Sequence, residues 1–348
     1  MNSRITSFII GFFLSLAVTF GQDIRVWELP QQKLPVPPGQ YSGITHVSGD
    51  LYAVVDDKLP GGGIVFFEIP MRSNGRVITS RVRKMVPAST TSSPVSGLDN
   101  EGVAYADGRL YVSAEGDQSI REYDLDGRAT GRMFTIPADL GIDAIEPNGG
   151  FEPLAFSAAT SQFWTMTELP LKADGAASRL HRLQCFGADF QPAGRYLYQM
   201  DEPVCSSGEG SSSRAYVFGI SALTALDDGR LLVLEREVYV PDGNPKEIIP
   251  KTFSTVKLYV IDPVGGDGAI LPKQLVYSFE THISLNVTGI DVGLANYEGM
   301  CLGPRLADGR RVLLLLADSQ AGMPSLARKL GRRQLTPEYI KVLLLDIQ

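Results

Sequence analysis

The sequence predicts an all-β protein, a β-propeller of four-stranded blades, and three observations predict it. First, an apolar strand pattern runs into an acidic residue five times, at residues 51–56, 110–115, 163–168, 231–235 and 312–318. Second, three of these runs follow the tripeptide Asp-Gly-Arg, at 107–109, 228–230 and 308–310. Third, helical periodicity is almost absent, while 36 glycines and 22 prolines fit many tight turns. Tandem repeats of short strands are typical of propellers.

The second repeat shows the predicted blade most clearly. Its four strands are expected at 101–105, 110–114, 119–124 and 131–136, with Asp-Gly turns at 107–108 and 126–127. The other repeats begin near Ser42, Glu152, Gly219 and Glu298. This parsing counts five blades. The irregular spacing leaves room for a sixth blade between residues 239 and 298, or for one divided between the two ends of the chain.

The ends of the chain predict a secretory signal and a closing strand. Residues 1–21 combine Arg4 with an apolar run at 8–20, too short to span a bilayer, and are expected to be a cleaved signal peptide. The protein is then secreted or periplasmic. Residues 22–348 form one domain. Within it, residues 24–29 are predicted to complete the blade that contains residues 339–347, since an open sheet edge invites aggregation.

Charge and cysteine content exclude some classes of function. The formal net charge of −7 disfavours nucleic acid and, after signal cleavage, anionic membranes as partners. Only three histidines are present, in unrelated segments, which disfavours a soft-metal site. Cys185 and Cys205 either pair across a hairpin or remain buried thiols. The sequence leaves the oligomeric state open.

The repeated acids are the strongest functional signal. Strand one of each blade lines the channel, and strand two is its antiparallel neighbour, so the start of one and the end of the other lie at the same face. The predicted metal ligands at this rim are Asp56, Glu101, Glu115, Glu152, Glu168, Glu235, Glu298 and Asp318. The fourth repeat has Ala222 at the opening position, and a one-residue slip would turn Glu235 or Asp318 to the other side. Such a cluster favours Ca²⁺, or Mg²⁺, because like charges repel without a cation.

Several longer motifs carry a resemblance to a known family. They lie, in family order, at residues 100–104, 107–116, 148–155, 167–171, 220–226, 232–236 and 296–300. Together they resemble the "esterase-like activity of phytase" family, also called phytase-like domain proteins, over nearly all of residues 22–348. The resemblance implies a secreted or periplasmic bacterial β-propeller with a link to phosphomonoester or ester hydrolysis.

Two functional hypotheses follow. The first is a metal-dependent hydrolase of phosphoric or other esters, acting on a small anionic or ester substrate. Its expected catalytic residues are Glu101, Glu152 and Glu298 as ligands or general base, with Arg236 and Lys172 as phosphate clamps. The second is a non-catalytic binding or scaffold propeller whose acids rigidify the blade junctions. A metal-independent carboxylesterase is disfavoured, because the sequence has no G-x-S-x-G motif.

Overall fold

The computed structural model describes residues 24–57, 59, 63–87, 98–205, 213–244, 248–286, 289–320, 328 and 337–348. The predicted signal peptide at 1–21 lies outside these residues. No helix within the described ranges has the length and apolar character needed to cross a membrane.

Five antiparallel sheets form the blades of a β-propeller, which confirms the predicted fold class. The first two blades contain β3 (Tyr41–Ser48), β4 (Leu51–Asp56), β5 (Gly63–Glu68) and β6 (Arg81–Pro87), then β7 (Asn100–Ala106), β8 (Arg109–Ala114), β9 (Ser119–Tyr123) and β10 (Ala129–Met133). The third contains β11 (Phe151–Ser157), β12 (Gln162–Thr167), β13 (Leu180–Phe186) and β14 (Pro192–Gln199). Strand boundaries of the second blade agree with the sequence prediction to within a few residues.

The fourth blade is longer than the others. It contains β15 (Ser213–Ala225), β16 (Leu231–Pro241), β17 (Phe253–Ile261), β18 (Lys273–Asn286) and the short β19 (Gly289–Val292). Strands β17, β18 and β19 lie in the interval in which a sixth blade remained open, and they belong to the fourth blade. The irregular repeat spacing therefore reflects an extended blade, and its outer part has its own small core around Val240, Ile248 and Leu294.

The N-terminal strand closes the ring, as predicted. The fifth blade contains β20 (Asn296–Arg305), β21 (Arg311–Asp318) and β22 (Tyr339–Ile347). Strand β1 (Ile24–Glu28) pairs antiparallel with β22, with Ile24 opposite Ile347, and β2 (Gln32–Lys33) pairs with the other end of β22. The outer edge of β22 is thus covered by a segment from the opposite end of the chain.

Apolar layers between adjacent blades hold the propeller together. Each of the five blade interfaces has its own buried cluster. Alternating strand residues supply both faces of each sheet, so a strand such as 312–316 is apolar throughout. Cys185 and Cys205 are both buried and are not joined by a disulfide.

The innermost strands β3, β7, β11, β15 and β20 surround the channel and approach each other closely. A Cβ atom on Gly102 would lie 2.5 Å from Ser113 Oγ and 2.6 Å from the Glu152 carbonyl oxygen. One on Gly43 would lie 2.5 Å from the Glu101 carbonyl oxygen. Glycine thus follows the opening position in the first, second and fifth blades, where the inner strands approach too closely for a Cβ atom, while Pro153 and Ala222 occupy this position in the other two.

Candidate functional site

β-Bulges at the start of the inner strands position the first set of acids. The pairing of β7 with β8 shifts register between Asn100 and Val103, which places Glu101 in the irregularity. Glu152 and Glu298 occupy the corresponding bulges of β11 and β20. A bulge re-aims the side chain of the extra residue. These three glutamates are buried and line one cavity at the end of the channel.

Strand register identifies the second set, at the ends of the second strands. Asp56, Ala114, Thr167, Glu235 and Ala317 each lie opposite the residue that precedes the bulge of their own blade. The next residue along each chain segment faces the cavity. These cavity-facing residues are Asp57, Glu115, Glu168, Arg236 and Asp318. Four blades therefore contribute an acid at this position, and the fourth contributes an arginine.

Two predicted rim acids do not join the cavity. Asp56 turns away and accepts hydrogen bonds from the backbone N–H groups of Gln40 and Leu59, at 3.4 and 3.1 Å. Glu235 turns to the junction with the third blade, where Lys273 Nζ lies 2.6 Å away. Each of these acids comes one residue before the residue that faces the cavity, and adjacent residues of a strand point to opposite sides. The expectation that these two acids share the rim is wrong, and Asp57 and Arg236 take their places.

The structure also corrects the residue predicted at the opening position of the fourth blade. Its register shifts between Ile220 and Ala222, so Ser221 occupies the bulge and Ala222 does not. The Ser221 hydroxyl donates to the carbonyl oxygen of Tyr297 at 3.0 Å, which ties β15 to the next inner strand. The missing acid of the fourth blade is thus a serine that joins two blades.

Arg236 is the buried cation of the site. Its Nη2 lies 2.8 Å from Glu168 Oε1, 3.0 Å from Glu298 Oε1 and 3.6 Å from Glu152 Oε1. Only 3% of the residue is exposed. Among the described residues, its Nε and Nη1 have no hydrogen-bond partner. The guanidinium is therefore fixed through one nitrogen, and the other two remain available to an oxygen-bearing ligand.

A second group of carboxylates converges in the same cavity. Asp57, Asp99 and Glu101 each offer one oxygen, and the three oxygens lie within 4.8 Å of one another. Asp99 adopts a left-handed backbone with φ 51°, an unusual conformation for a residue other than glycine. All three residues line the same cavity as Arg236. Three hard oxygen donors at this separation fit a divalent cation such as Ca²⁺ or Mg²⁺.

Burial and mutual repulsion raise the pKa of the deepest acids. The pKa of Glu101 lies well above its usual value because of burial, with further contributions from Glu298 and Asp57. For Asp318, burial and then Glu298 raise the pKa in the same way. Burial also raises the pKa of Glu168 and Glu298, although Arg236 opposes the shift. Among these buried acids, Glu168 and Glu298 therefore differ from the others because the nearby Arg236 lowers their pKa.

The remaining predicted residues differ in their placement. Glu115 lines the cavity, but its Oε1 accepts the backbone N–H of Gly150 at 2.7 Å, an interaction that joins the second and third blades. Lys172 is exposed, and its Nζ donates to the carbonyl oxygen of Asp143 at 3.3 Å. It does not line the cavity, so its expected position as a phosphate clamp is wrong.

His181 lines the cavity, and the sequence did not indicate it. Its Nδ1 lies 3.1 Å from the Thr167 carbonyl oxygen, which can only accept, so Nδ1 carries the proton. Nε2 is then an acceptor, with no partner among the described residues. Burial lowers the pKa of His181 to about 4, so the ring is neutral at pH 7. Its position on a third strand, away from the repeated acids, gave no sequence signal.

The cavity measures about 630 Å³ and is closed towards the channel. Its acidic lining residues are Asp57, Asp99, Glu101, Glu115, Glu146, Glu152, Glu168, Glu298 and Asp318. Below them, Ile44, Val103, Leu154 and Met300 surround a space of only about 10 Å³, roughly the room of one water molecule. A ligand can therefore enter the acidic site from the rim but cannot pass through the channel. We call this space the rim cavity.

Solved structures with a similar fold have low sequence identity to this chain. A glutaminyl cyclase from Myxococcus xanthus is 11% identical, with 94% of this chain and 99% of that chain covered and a TM-score of 0.40. An endo-arabinase from Bacteroides thetaiotaomicron VPI-5482 is 11% identical, with 91% and 99% covered and a TM-score of 0.47. A comparison with curated proteins gives no match.

A family model matches most of the sequence. The match covers residues 36–320, from the loop before β3 to the end of the second strand of the fifth blade. It therefore includes all the residues of the rim cavity described above. The chain belongs to the phytase-like family, described as "esterase-like activity of phytase".

Proposed function

We propose that the protein is a metal-dependent hydrolase of phosphoric or other esters, with its active site in the rim cavity. One observation carries the proposal. The oxygens of Asp57, Asp99 and Glu101 lie within 4.8 Å of one another in the same cavity as Arg236, whose buried Nε and Nη1 lack partners among the described residues. A cation-binding acid group beside fixed N–H donors suits an anionic ester.

The acid group provides the ligands for Ca²⁺ or Mg²⁺. Asp57 and Asp99 are half-buried and Glu101 is buried, so the like charges interact across a poorly solvated space. A divalent ion held there neutralises charge on the ester and lowers the pKa of a water molecule. Because binding of a cation favours the ionised form, it would also reverse the raised pKa of Glu101.

Arg236 positions the substrate. Its Nη2 is held by Glu168 and Glu298, so the guanidinium plane has a fixed direction. Nε and Nη1 point in different directions, and each can then donate a hydrogen bond to an oxygen of the ligand. Holding the ester in one orientation is a large part of what an enzyme contributes to its reaction.

Glu152 and His181 have separate roles towards the attacking water, as general base and as orienting acceptor. Burial, and then Glu101 and Glu168, raise the pKa of Glu152 well above its usual value, and a raised pKa makes its carboxylate a stronger proton acceptor. Its ion-pair partner among the described residues is Arg236, at 3.6 Å. The neutral His181 accepts a hydrogen bond at Nε2 and orients the water, but its pKa of about 4 makes it a weak proton acceptor. Glu298 remains with Arg236 as a positioning residue.

A non-catalytic binding or scaffold propeller is the alternative, and two contacts favour it. Glu115 caps the backbone of Gly150 in the next blade, and Arg236 joins acids from the third and fifth blades. These contacts rigidify blade junctions without any substrate. The hydrolase also accounts for the convergence of Asp57, Asp99 and Glu101 and for the acceptor at His181 Nε2, free among the described residues, which is why we prefer it.

The N-terminal apolar run at 8–20 supports export as part of the proposal. An exported enzyme of this kind would meet small ester substrates outside the cytoplasm and would need no membrane partner. Fractionation of cells that express the full-length chain, with N-terminal sequencing of the product, tests cleavage near residue 21.

Calcium binding and ester hydrolysis test the proposal together. We expect Ca²⁺ to raise the thermal midpoint by several degrees, because a ligand at a hundredfold excess over Kd adds about 2.7 kcal/mol to the free energy of unfolding. Asp99→Asn should remove most of this shift and reduce hydrolysis of p-nitrophenyl phosphate at least tenfold, because the ligand loses its charge. The matched control is Asp308→Asn, an exposed acid in the turn before β21.

Hydrolysis must also depend on the cation, so each assay is repeated with a chelator. A thermal midpoint that is indifferent to calcium, magnesium and chelator would contradict the metal site and leave the scaffold account. Turnover of p-nitrophenyl acetate with no turnover of the phosphate would keep the hydrolase but change the ester class.

A further inference from the structure

Resting on the proposed function, we infer that the substrate is a monoester with one anionic group joined to an apolar group about the size of a benzene ring. A polyphosphorylated alcohol such as inositol hexakisphosphate does not fit the cavity equally well. The inference comes from how apolar and charged side chains are distributed around the rim cavity.

Five apolar residues line part of the rim cavity. They are Leu169, Pro170, Met200, Val217 and Phe218, which we call the apolar wall. They follow β12 and β14 or lie in β15, so the third and fourth blades supply all of them. The third blade also supplies Glu152 and Glu168, whereas Asp57, Asp99 and Asp318 come from the first, second and fifth blades. A ligand in the cavity can therefore contact carbon atoms and carboxylates at the same time.

The apolar wall is built on a firmly held part of the fourth blade. Phe218 lies in β15 opposite Glu237 of β16. The Glu237 carboxylate accepts the backbone N–H groups of Val204 and Cys205 at 2.6 and 2.7 Å, and the hydroxyl of Tyr216 at 3.3 Å. These bonds fix the extension of β15 to the segment after β14. A surface that is ordered before binding contributes more affinity, since less freedom is lost on binding.

Charge decides against a polyanion. Nine carboxyl groups line the rim cavity, and the cations among its described lining residues are Arg179 and Arg236. Arg179 also pairs with Glu202 at 2.6 Å, and Arg236 contacts three glutamates. One phosphoryl group can lie between Arg236 and a single divalent ion. Five more phosphates would face carboxylates or the apolar wall, where burial of an unpaired charge is unfavourable.

Equilibrium binding of non-hydrolysable phosphonates tests the inference without relying on turnover. Phenylphosphonate, methylphosphonate and inositol hexakisphosphate are titrated into the calcium-loaded protein by calorimetry. We expect phenylphosphonate to bind about tenfold more tightly than methylphosphonate, because part of the ring is removed from water against the apolar wall. We expect inositol hexakisphosphate to bind more weakly than phenylphosphonate.

Variants of Phe218 test whether the phenyl group of the ligand binds against the apolar wall. Phe218→Ala should reduce the difference between the two phosphonates to less than threefold, mainly by weakening the binding of phenylphosphonate. Phe218→Leu, which keeps an apolar side chain, should retain part of the difference and serves if the alanine variant does not fold. The matched control is Phe279→Ala, a partly buried aromatic residue of β18 in the same blade that packs between blades and does not line the cavity.

The outcomes separate this inference from the function on which it rests. If no phosphonate binds and no ester is hydrolysed, the proposed function fails and the inference fails with it. If both phosphonates bind equally, or inositol hexakisphosphate binds most tightly, the hydrolase stands and the substrate class is overturned. A phenyl preference that survives Phe218→Ala also overturns it, since the ring would then bind elsewhere.

Discussion

Two groups of carboxylates lie in the rim cavity, and they differ in their relation to Arg236. Glu152, Glu168 and Glu298 surround the guanidinium of Arg236. Asp57, Asp99 and Glu101 offer one oxygen each, and these oxygens lie within 4.8 Å of one another. Most members of both groups lie at the repeated strand ends, and Asp99 lies in the loop before β7. The fold thus supplies a ring of equivalent positions. The fourth blade has Arg236 where the other blades have an acid, and this difference divides the ring into two parts with different chemistry.

The difference assigns separate tasks to the two parts. Arg236 Nη2 contacts all three glutamates of its group, so the chain itself holds their arrangement. Asp57, Asp99 and Glu101 offer three oxygens that a divalent ion can join, so we expect the stability of this group to respond to calcium and chelator. Comparing the effect of removing each charge shows how far this separation holds.

The largest effect is expected from Arg236→Met at pH 7 in the presence of a chelator. Removal of the guanidinium leaves three buried carboxyl groups without their counter-charge, and loss of one partner from a buried ion pair costs about 3–5 kcal/mol. Urea denaturation measures the free energy of unfolding. The destabilisation should shrink as the pH is lowered, because protonation then neutralises the same carboxyl groups.

An exposed arginine provides the control for that variant. Arg128 pairs with Asp124 and Asp126 in a turn, and its side chain is 70% exposed. Arg128→Met should change the free energy of unfolding by less than about 1 kcal/mol. If Arg236→Met has an equally small effect, the glutamates are already protonated in the native protein, and the division into two groups is wrong.

An effect of intermediate size is expected in the pH dependence of the free energy of unfolding. Acids whose pKa is raised by folding stabilise the native state most fully below their unfolded pKa, and this contribution is lost as the pH rises through the folded value. Glu338 gives a defined window, because burial raises its pKa from 4.5 to about 7. Its Oε1 accepts the backbone N–H of Gly39 at 2.9 Å, behind the rim at the junction of the first and fifth blades. The chelated protein should therefore lose stability between about pH 4.5 and pH 7.

Calcium should separate two contributions to this pH dependence. The part that comes from Glu101 should disappear when calcium is bound, because the ion stabilises the carboxylate. The part from Glu338, about 2–3 kcal/mol at most, should remain with calcium and disappear in Glu338→Gln. Urea midpoints measured across this pH range provide the check. A pH dependence that calcium leaves unchanged would mean that Glu101 does not contact the ion.

Much of the fold was predictable from the sequence because it depends on patterns repeated over many residues. The Asp-Gly-Arg turns and apolar runs predicted four-stranded blades, and the isolated strand at residues 24–29 predicted the closure with β22. The common face of Glu101, Glu152 and Glu298 was also predictable. Antiparallel pairing alone places the start of one strand beside the end of the next.

Single-residue register was not predictable, and it decided the composition of the site. A strand alternates its sides at every residue, so an error of one residue exchanges Asp56 for Asp57 and Glu235 for Arg236. Nothing in an apolar run fixes which of two adjacent residues at its end faces the cavity. Asp99 and His181 were missed for another reason, since one lies in a loop and the other on a third strand, outside the repeated positions.

The smallest effect is expected at Lys172, the residue whose predicted role the structure does not support. Its side chain is exposed and donates only to the carbonyl oxygen of Asp143 among the described contacts. Lys172→Met should change the free energy of unfolding by less than about 0.5 kcal/mol and the affinity for phenylphosphonate by less than about twofold. Arg179→Met is the matched comparison, because Arg179 lines the cavity and its loss should weaken phosphonate binding several-fold. If the order is reversed and Lys172→Met weakens binding more, the segment that carries Lys172 must move over the rim cavity when a ligand binds. A cation that is not one of the strand-end residues would then bind the anionic group of the ligand together with Arg236.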